Sequence, residues 1–199
     1  MLLKHRPPGI ESQPAKLCDG LEHLQQSSIA VLRWLQANKV EFVLVGPVAS
    51  AIRGDHGATG PVAIVPAPYG RNFDRLCQAL VAEHAGLRAE RGVPGSATRP
   101  EAVPVKLTPD KLARGRRWML HFGAYDLDIE GAGPQRAVPE HSATPSYQEL
   151  LYETGRFELS EGLSVEVASA VDLVRYSDGG RTGAPPEFRV TRRAPAEHD

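Results

Sequence analysis

Apolar residues recur at helical spacing through Leu21, Leu24, Val31, Leu32 and Leu35, which predicts a first helix over residues 19–39. Asp19 and Glu22 have the spacing of a capping box at its start. The run from Phe42 to Val45 is continuously apolar and short, the pattern of a buried strand, and Val62 to Val65 repeats it. Between them, residues 48–53 suit one or two helical turns before the loop Gly54-Asp55-His56-Gly57. Phe73, Leu76, Cys77, Leu80 and Val81 line one side of a second amphipathic helix over residues 72–84.

Further along, residues 103–107 read as an edge strand, because Pro104 cannot donate to a ladder. Thr108-Pro109-Asp110 opens a short helix with a cap and a proline at its first position. Residues 117–122 and 125–130 alternate as two strands joined by a tight turn at Gly123-Ala124. Ser146 and Glu149 form a second capping box, for a helix to Glu153. Residues 156–159 and 163–167 predict a hairpin across Glu161-Gly162, and residues 169–172 cap a last helix ending near Tyr176. Alternating strands and helices of this kind predict an α/β (α+β) domain around a mixed sheet flanked by helices.

The chain of 199 residues is long enough for one domain with its own core. Its 17 prolines and 19 glycines cluster at residues 7–14, 91–104, 131–145 and 179–195, which marks those stretches as loops and tails. The expected organisation is a flexible segment over 1–16, a domain over 17–176 and a polar, disordered tail over 177–199. A net charge of −1 exerts no general pull toward DNA, RNA or membrane. No run approaches the ~20 apolar residues of a membrane span, and residues 1–8 lack a signal peptide's apolar stretch. Cys18 and Cys77 fall on or near the apolar faces of predicted helices, as buried thiols do, and no Cys or His pair has zinc-ligand spacing. A reducing cytoplasm fits these features.

The richest chemistry lies in Tyr125-Asp126-Leu127-Asp128-Ile129-Glu130, where a strand places three carboxylates on one face. Such a row is either the remnant of a metal site or the solvent side of a half-buried strand. Arg114, Arg116 and Arg117 beside Trp118 could touch an RNA backbone, with Arg189, Arg192 and Arg193 in the tail, although a solvated face suits a near-neutral chain better. Arg117 and His121 take alternate positions of one strand, on one polar face. Asp55-His56 in its glycine-rich loop is either a turn or a stray ligand and base.

Several segments together carry a resemblance. They are Val43-Leu44-Val45-Gly46, Arg53-Gly54 with Ala58-Thr59, Ile64-Val65-Pro66, Asn72-Phe73-Asp74-Arg75-Leu76, Leu127-Asp128-Ile129, Tyr147-Gln148-Glu149-Leu150-Leu151 and residues 167–173, followed by Gly180-Arg181. In order and spacing this series, over residues 29–183, resembles the nucleotidyltransferase superfamily, in its small bacterial branch related to AbiEii-type toxins. The resemblance implies a nucleotidyltransferase-like mixed sheet. It also implies transfer of a nucleoside monophosphate from a nucleoside triphosphate to tRNA or to a protein, with Mg²⁺ and in a toxin–antitoxin setting.

Family members carry a strand reading Asp-x-Asp, whose two carboxylates share a face and bind metal with a third from a neighbouring strand. Here those two positions hold Pro61 and Ala63, which have no side-chain oxygen. The resemblance leaves Asp128 as the third carboxylate, with Asp126 beside it, as the expected catalytic and metal-binding residues. Gly46, Ser50 and Thr59 are the expected nucleotide-binding positions. The residue after Gly46, where relatives offer a backbone N–H to the triphosphate, is Pro47, which has none. A strand-to-helix turn with proline at the first helical position is the favoured reading of Gly46-Pro47. Basic residues of the family are replaced by Gly57 and Gly60, and an acid near the end by Ala184. The expectation is therefore a catalytically degenerate nucleotidyltransferase, a pseudoenzyme with a binding or regulatory role. The alternative is an active Mg²⁺-dependent enzyme that rebuilds its site from Asp126, Asp128 and Glu130 or Asp55.

Overall fold

At one side of the architecture is a hairpin whose two strands alternate in sequence; the first alternates in burial as well, while its partner buries Leu127, Asp128 and Ile129 in succession. Strand β6 (Arg117–Phe122) buries Trp118, Leu120 and Phe122, and β7 (Tyr125–Glu130) pairs with it from Phe122↔Tyr125 to Arg117↔Glu130. Gly123 turns the chain at φ +56, a backbone that L side chains rarely adopt. The computed structural model describes residues 16–17, 24–88, 103–114, 117–130 and 145–182, those at 16–17 and 177–182 by backbone alone.

Around this hairpin the described residues form a mixed sheet of nine strands. The others are β1 (Lys16–Leu17), β2 (Phe42–Val45), β3 (Val62–Pro66), β4 (Gly86–Leu87), β5 (Val103–Pro104), β8 (Gly155–Ser160) and β9 (Leu163–Val167). Their order is β1-β8-β9-β2-β3-β7-β6-β4-β5. Strand β3 lies between β2, to which it is antiparallel, and β7, to which it is parallel, and all five of its residues are buried.

Six helices complete the described fold: α1 (Gln26–Ala37), α2 (Gly46–Ile52), α3 (Gly70–Ala82), α4 (Pro109–Arg114), α5 (Tyr147–Tyr152) and α6 (Ala170–Thr182). The class is thus α+β, a mixed sheet flanked by helices. Helix α1 buries Val31, Leu32 and Leu35, and its Trp34 ring sits 4.7 Å from that of Phe122. Helices α1 and α3 end alike, on Lys39 at φ 54 and His84 at φ 52. In each, the next residue's N–H returns to the helix: Val40 to the Leu35 carbonyl at 3.0 Å, Ala85 to the Leu80 carbonyl at 2.9 Å. Helix α5 begins at the expected capping box, with Ser146 N–H donating to Glu149 at 2.6 Å and Glu149 N–H to Ser146 at 3.4 Å.

Several boundaries depart from the sequence expectation. Helix α1 starts at Gln26, with extended Gln25 ahead of it and no side-chain cap. Leu24 is buried from a bend before the helix, so its apolar character serves the core without helical periodicity. Asp19, Glu22 and Cys18 lie outside the described residues. Strand β5 stops at Pro104, where the missing N–H ends the ladder. Lys16 joins the sheet opposite Phe157. Helix α6 continues past Tyr176 to Thr182, since extending a formed helix fixes only one residue per added hydrogen bond.

The buried side chain of Asn72 ties α3 to the sheet. It accepts from Glu41 N–H at 2.8 Å and donates to the carbonyls of Glu41 and Ala67 at 2.8 and 3.1 Å. At the other end of β2, Arg53 donates to the carbonyls of Val167 and Ala168 and lies over the Phe157 ring.

Candidate functional site

The turn from β2 into α2 is a close fit of small residues. Gly46 adopts φ +69, and a Cβ there would stand 2.9 Å from the Cβ of Ala63 on β3. A Cβ at Gly60 would stand 2.8 Å from Cγ of Pro47. Glycine at 60 and proline at 47 are therefore two halves of one packing arrangement. With seven residues and Pro47 in its first turn, α2 is a short connector of the expected strand-to-helix kind.

Beside this turn, strand register aligns the acidic row. Ala63 pairs with Val45 on one side and with Asp128 on the other. Asp126, Asp128 and Glu130 share that face of β7, and their partners on β6 are His121, Met119 and Arg117. Leu127 and Ile129 point to the opposite face, with Trp118 and Leu120, and all four are buried. One strand thus serves the core and a charged surface at once.

Asp128 is only 2% exposed, and both its oxygens meet guanidinium groups. Arg88 Nη2 lies 2.8 Å from Oδ1, and Arg117 Nη2 donates to Oδ2 at 3.0 Å. Arg117 Nε is also 2.9 Å from Glu130 Oε1. At the other end of the row, His121 Nδ1 lies 2.8 Å from Asp126 Oδ1, and Arg88 Nη1 is 3.7 Å from Asp126 Oδ2. An ionised carboxylate can only accept, so Nδ1 is the donor nitrogen of that imidazole. Arg88 is held in place by its own backbone, whose N–H donates to the Met119 carbonyl at 2.9 Å.

Burial pushes the Glu130 carboxyl up to about 7, against the pull of Arg117 and with the help of Asp128. Burial likewise raises the phenol of Tyr176, with Glu130, Asp172 and Glu149 adding to the effect. The Tyr176 hydroxyl donates to the Pro145 carbonyl at 2.8 Å. A second polar group stands apart from the row. Tyr69 donates to Glu41 at 2.9 Å, and burial followed by that contact raises its phenol.

The expected site residues separate into two sets. Asp126 and Asp128 sit together, with Gly46 two strands away across Ala63. Ser50 is half-buried in α2 and Thr59 is exposed in the loop before β3, and among the described residues neither bonds to the acidic row. Asp55 accepts from Gly57 N–H at 3.2 Å, a local turn contact. Cys77 is a buried free thiol, raised by burial and then by Asp74. Of the basic cluster, Arg117 engages carboxylates and Trp118 is buried on the opposite face, while Arg116, Arg189, Arg192 and Arg193 lie outside the described residues. Gly180-Arg181 lies in α6, described by its backbone, and Ala184 lies outside the described residues.

Arg88 is the member that sequence reasoning missed. It follows β4, which is two residues long and too short to show a period of two. Among the described residues no three His, Cys, Asp or Glu side chains are grouped to hold a metal ion, and no helix is long and apolar enough to cross a membrane. The chain matches no family model, and no curated protein matches it.

Proposed function

We propose that this chain is a nucleotidyltransferase-like protein, related to the AbiEii-type toxin branch, that has lost metal-dependent transfer and serves by binding or regulation. The observation that carries the reading is the register of Ala63 with Asp128. In that register residue 63, which the resemblance aligns with the second acid of Asp-x-Asp, neighbours Asp128, which it aligns with the third carboxylate, and this supports the reading.

The residues present do not fit a magnesium centre. Mg²⁺ asks for hard oxygen ligands in near-octahedral geometry. Pro61 and Ala63 supply none, and Asp128 already lies against two guanidinium groups at 2.8 and 3.0 Å. The turn that would cradle a triphosphate contains Pro47, which lacks an N–H. Without the ions that clamp attacking and leaving oxygens, nucleotidyl transfer loses its main electrostatic stabilisation. The role that remains is recognition, with tRNA or a protein of toxin–antitoxin type as the partner and the cytoplasm as its setting.

Calorimetric titration with each nucleoside triphosphate, with and without Mg²⁺, tests this reading. The expected result is no Mg²⁺-dependent binding at millimolar ligand. Mg²⁺-dependent binding that Asp128→Ala abolishes would overturn it in favour of a working nucleotidyltransferase site.

A further inference from the structure

The acidic row on β7 has an unusual set of neighbours. Three carboxylates, Asp126, Asp128 and Glu130, face two guanidinium groups and one imidazole. The guanidinium groups arrive from different places, Arg117 from β6 and Arg88 from the residue after β4. They converge on the most buried of the three acids and take one oxygen each. Each also reaches an outer acid: Arg88 leans toward Asp126 at 3.7 Å and Arg117 touches Glu130 at 2.9 Å. The charge pattern is therefore acid–cation–acid–cation–acid along the sheet face.

A buried carboxylate needs a counter-charge and hydrogen-bond donors, because desolvation of an unpaired ion costs several kcal/mol. That need can be met by a divalent ion or by arginine, which stays charged at any ordinary pH and whose fork matches two carboxylate oxygens. We propose that Arg88 and Arg117 are the resident counter-cations of this row. They fill the place a divalent ion would take, so the face is closed to metal by occupancy and not merely by the loss of ligands at positions 61 and 63. The inference rests on the nucleotidyltransferase reading for the ligands lost at positions 61 and 63 and on the contacts of Asp128 for the occupancy; the nucleotide titration tests the first and the metal titrations below test the second.

Occupancy and simple loss of ligands predict different behaviour when the arginines are removed. With Arg88→Gln and Arg117→Gln together, Asp126, Asp128 and Glu130 lose both guanidinium groups among these neighbours. Thermal unfolding with Mn²⁺ and Ca²⁺ is the probe. The wild-type protein should not respond at up to 5 mM, a concentration chosen as roughly the weak end of protein calcium sites. The double variant should unfold at lower temperature without metal and recover at least half of that loss with Mn²⁺. Water-proton relaxation of Mn²⁺ should show binding to the double variant at least about tenfold tighter than to wild type.

Should the double variant fail to fold alone, refolding it in the presence and absence of Mn²⁺ reads the same difference. Folding only with the ion supports occupancy, and failure under both conditions overturns it. Equal Mn²⁺ affinity of wild type and variant, or a variant that no divalent ion stabilises, would also overturn it. Asp128→Asn added to the double variant should abolish the ion's effect; an effect that survives this change would place the ion elsewhere and sink the proposal.

Discussion

The ring of Pro47 occupies the space that any side chain at residue 60 would need, its Cγ lying 2.8 Å from a Cβ built on Gly60. Gly60→Ala should therefore destabilise the protein by about 1–3 kcal/mol, the usual range for overpacking. Pro47→Ser in the same chain should return the part of that loss that comes from crowding, while the backbone at residue 60, φ +159, stays strained for an L side chain. A double-mutant cycle in urea checks the coupling; additive effects would mean that the two residues do not share the space.

Asp128 and Asp126 sit two residues apart on one face of β7, yet their substitutions should differ sharply. Asp128→Asn removes the charge between two guanidinium groups at a site 2% exposed, and breaking such a pair costs about 3–5 kcal/mol. Asp126 is 43% exposed, and water screens its contacts, so Asp126→Asn should cost under about 1 kcal/mol. Equilibrium denaturation of both variants gives the comparison, and equal losses would contradict the assigned contacts.

Stability should fall as pH rises from 4.5 to about 7. The Glu130 carboxyl titrates at about 7 when folded, against 4.5 as its ordinary value. Below the ordinary value both states hold the proton, and between the two values only the folded state does. Each rise in pH across that window therefore favours unfolding, and the slope vanishes above the folded value. The full span is about 3 kcal/mol. Glu130→Gln should flatten this profile in urea melts between pH 4.5 and 8, while an unchanged profile would assign the effect to other groups.

Two helix ends carry a conformational cost that glycine would relieve. Lys39 and His84 are exposed residues in left-handed backbone, at φ 54 and 52. A β-carbon there costs roughly 1 kcal/mol. Lys39→Gly and His84→Gly should each raise stability by about 0.5–1 kcal/mol, after the added flexibility of the unfolded chain is set against the relief. Thermal melts of the single and combined variants would show near-additive gains.

Asn72→Ala should be costly for its size. It removes the acceptor of Glu41 N–H from a side chain 1% exposed, while the carbonyls of Glu41 and Ala67 keep the N–H groups of Ala67 and Tyr69. One donor left unsatisfied in a half-buried setting costs about 1–3 kcal/mol, so a loss of about that size is expected. Hydrogen exchange at Glu41 should accelerate in parallel.

Where the sequence had strong local signals, structure follows it closely. The strands at 117–122 and 125–130 coincide with the alternation of their residues, and β2 coincides with its apolar run. Ser146 and Glu149 announce α5 by side chains that bond the backbone they precede. Signals fail where an element is too short to repeat its own period, as in β1 and β4, or where burial occurs without periodicity, as at Leu24.

The candidate site was legible to the same degree. Three acids on one face of β7 follow from spacing alone. Their partners do not, since the distance from Arg88 to Asp128 along the chain is closed only by the ladder of β4 on β6. The packing of Pro47 on Gly60 was likewise hidden, because two separate departures from a pattern give no hint that they touch.

The two-residue strand β5 ends the sheet on the side of the charged row, with Pro104 opposite Gly86. An outermost strand normally offers a column of donors and acceptors to whatever extended chain drifts past. Here that column is brief, and one of its two residues has no hydrogen to give. Among the described residues, a tenth strand on that side would meet only Val103 and Pro104, a short hold for the recruitment of a second molecule.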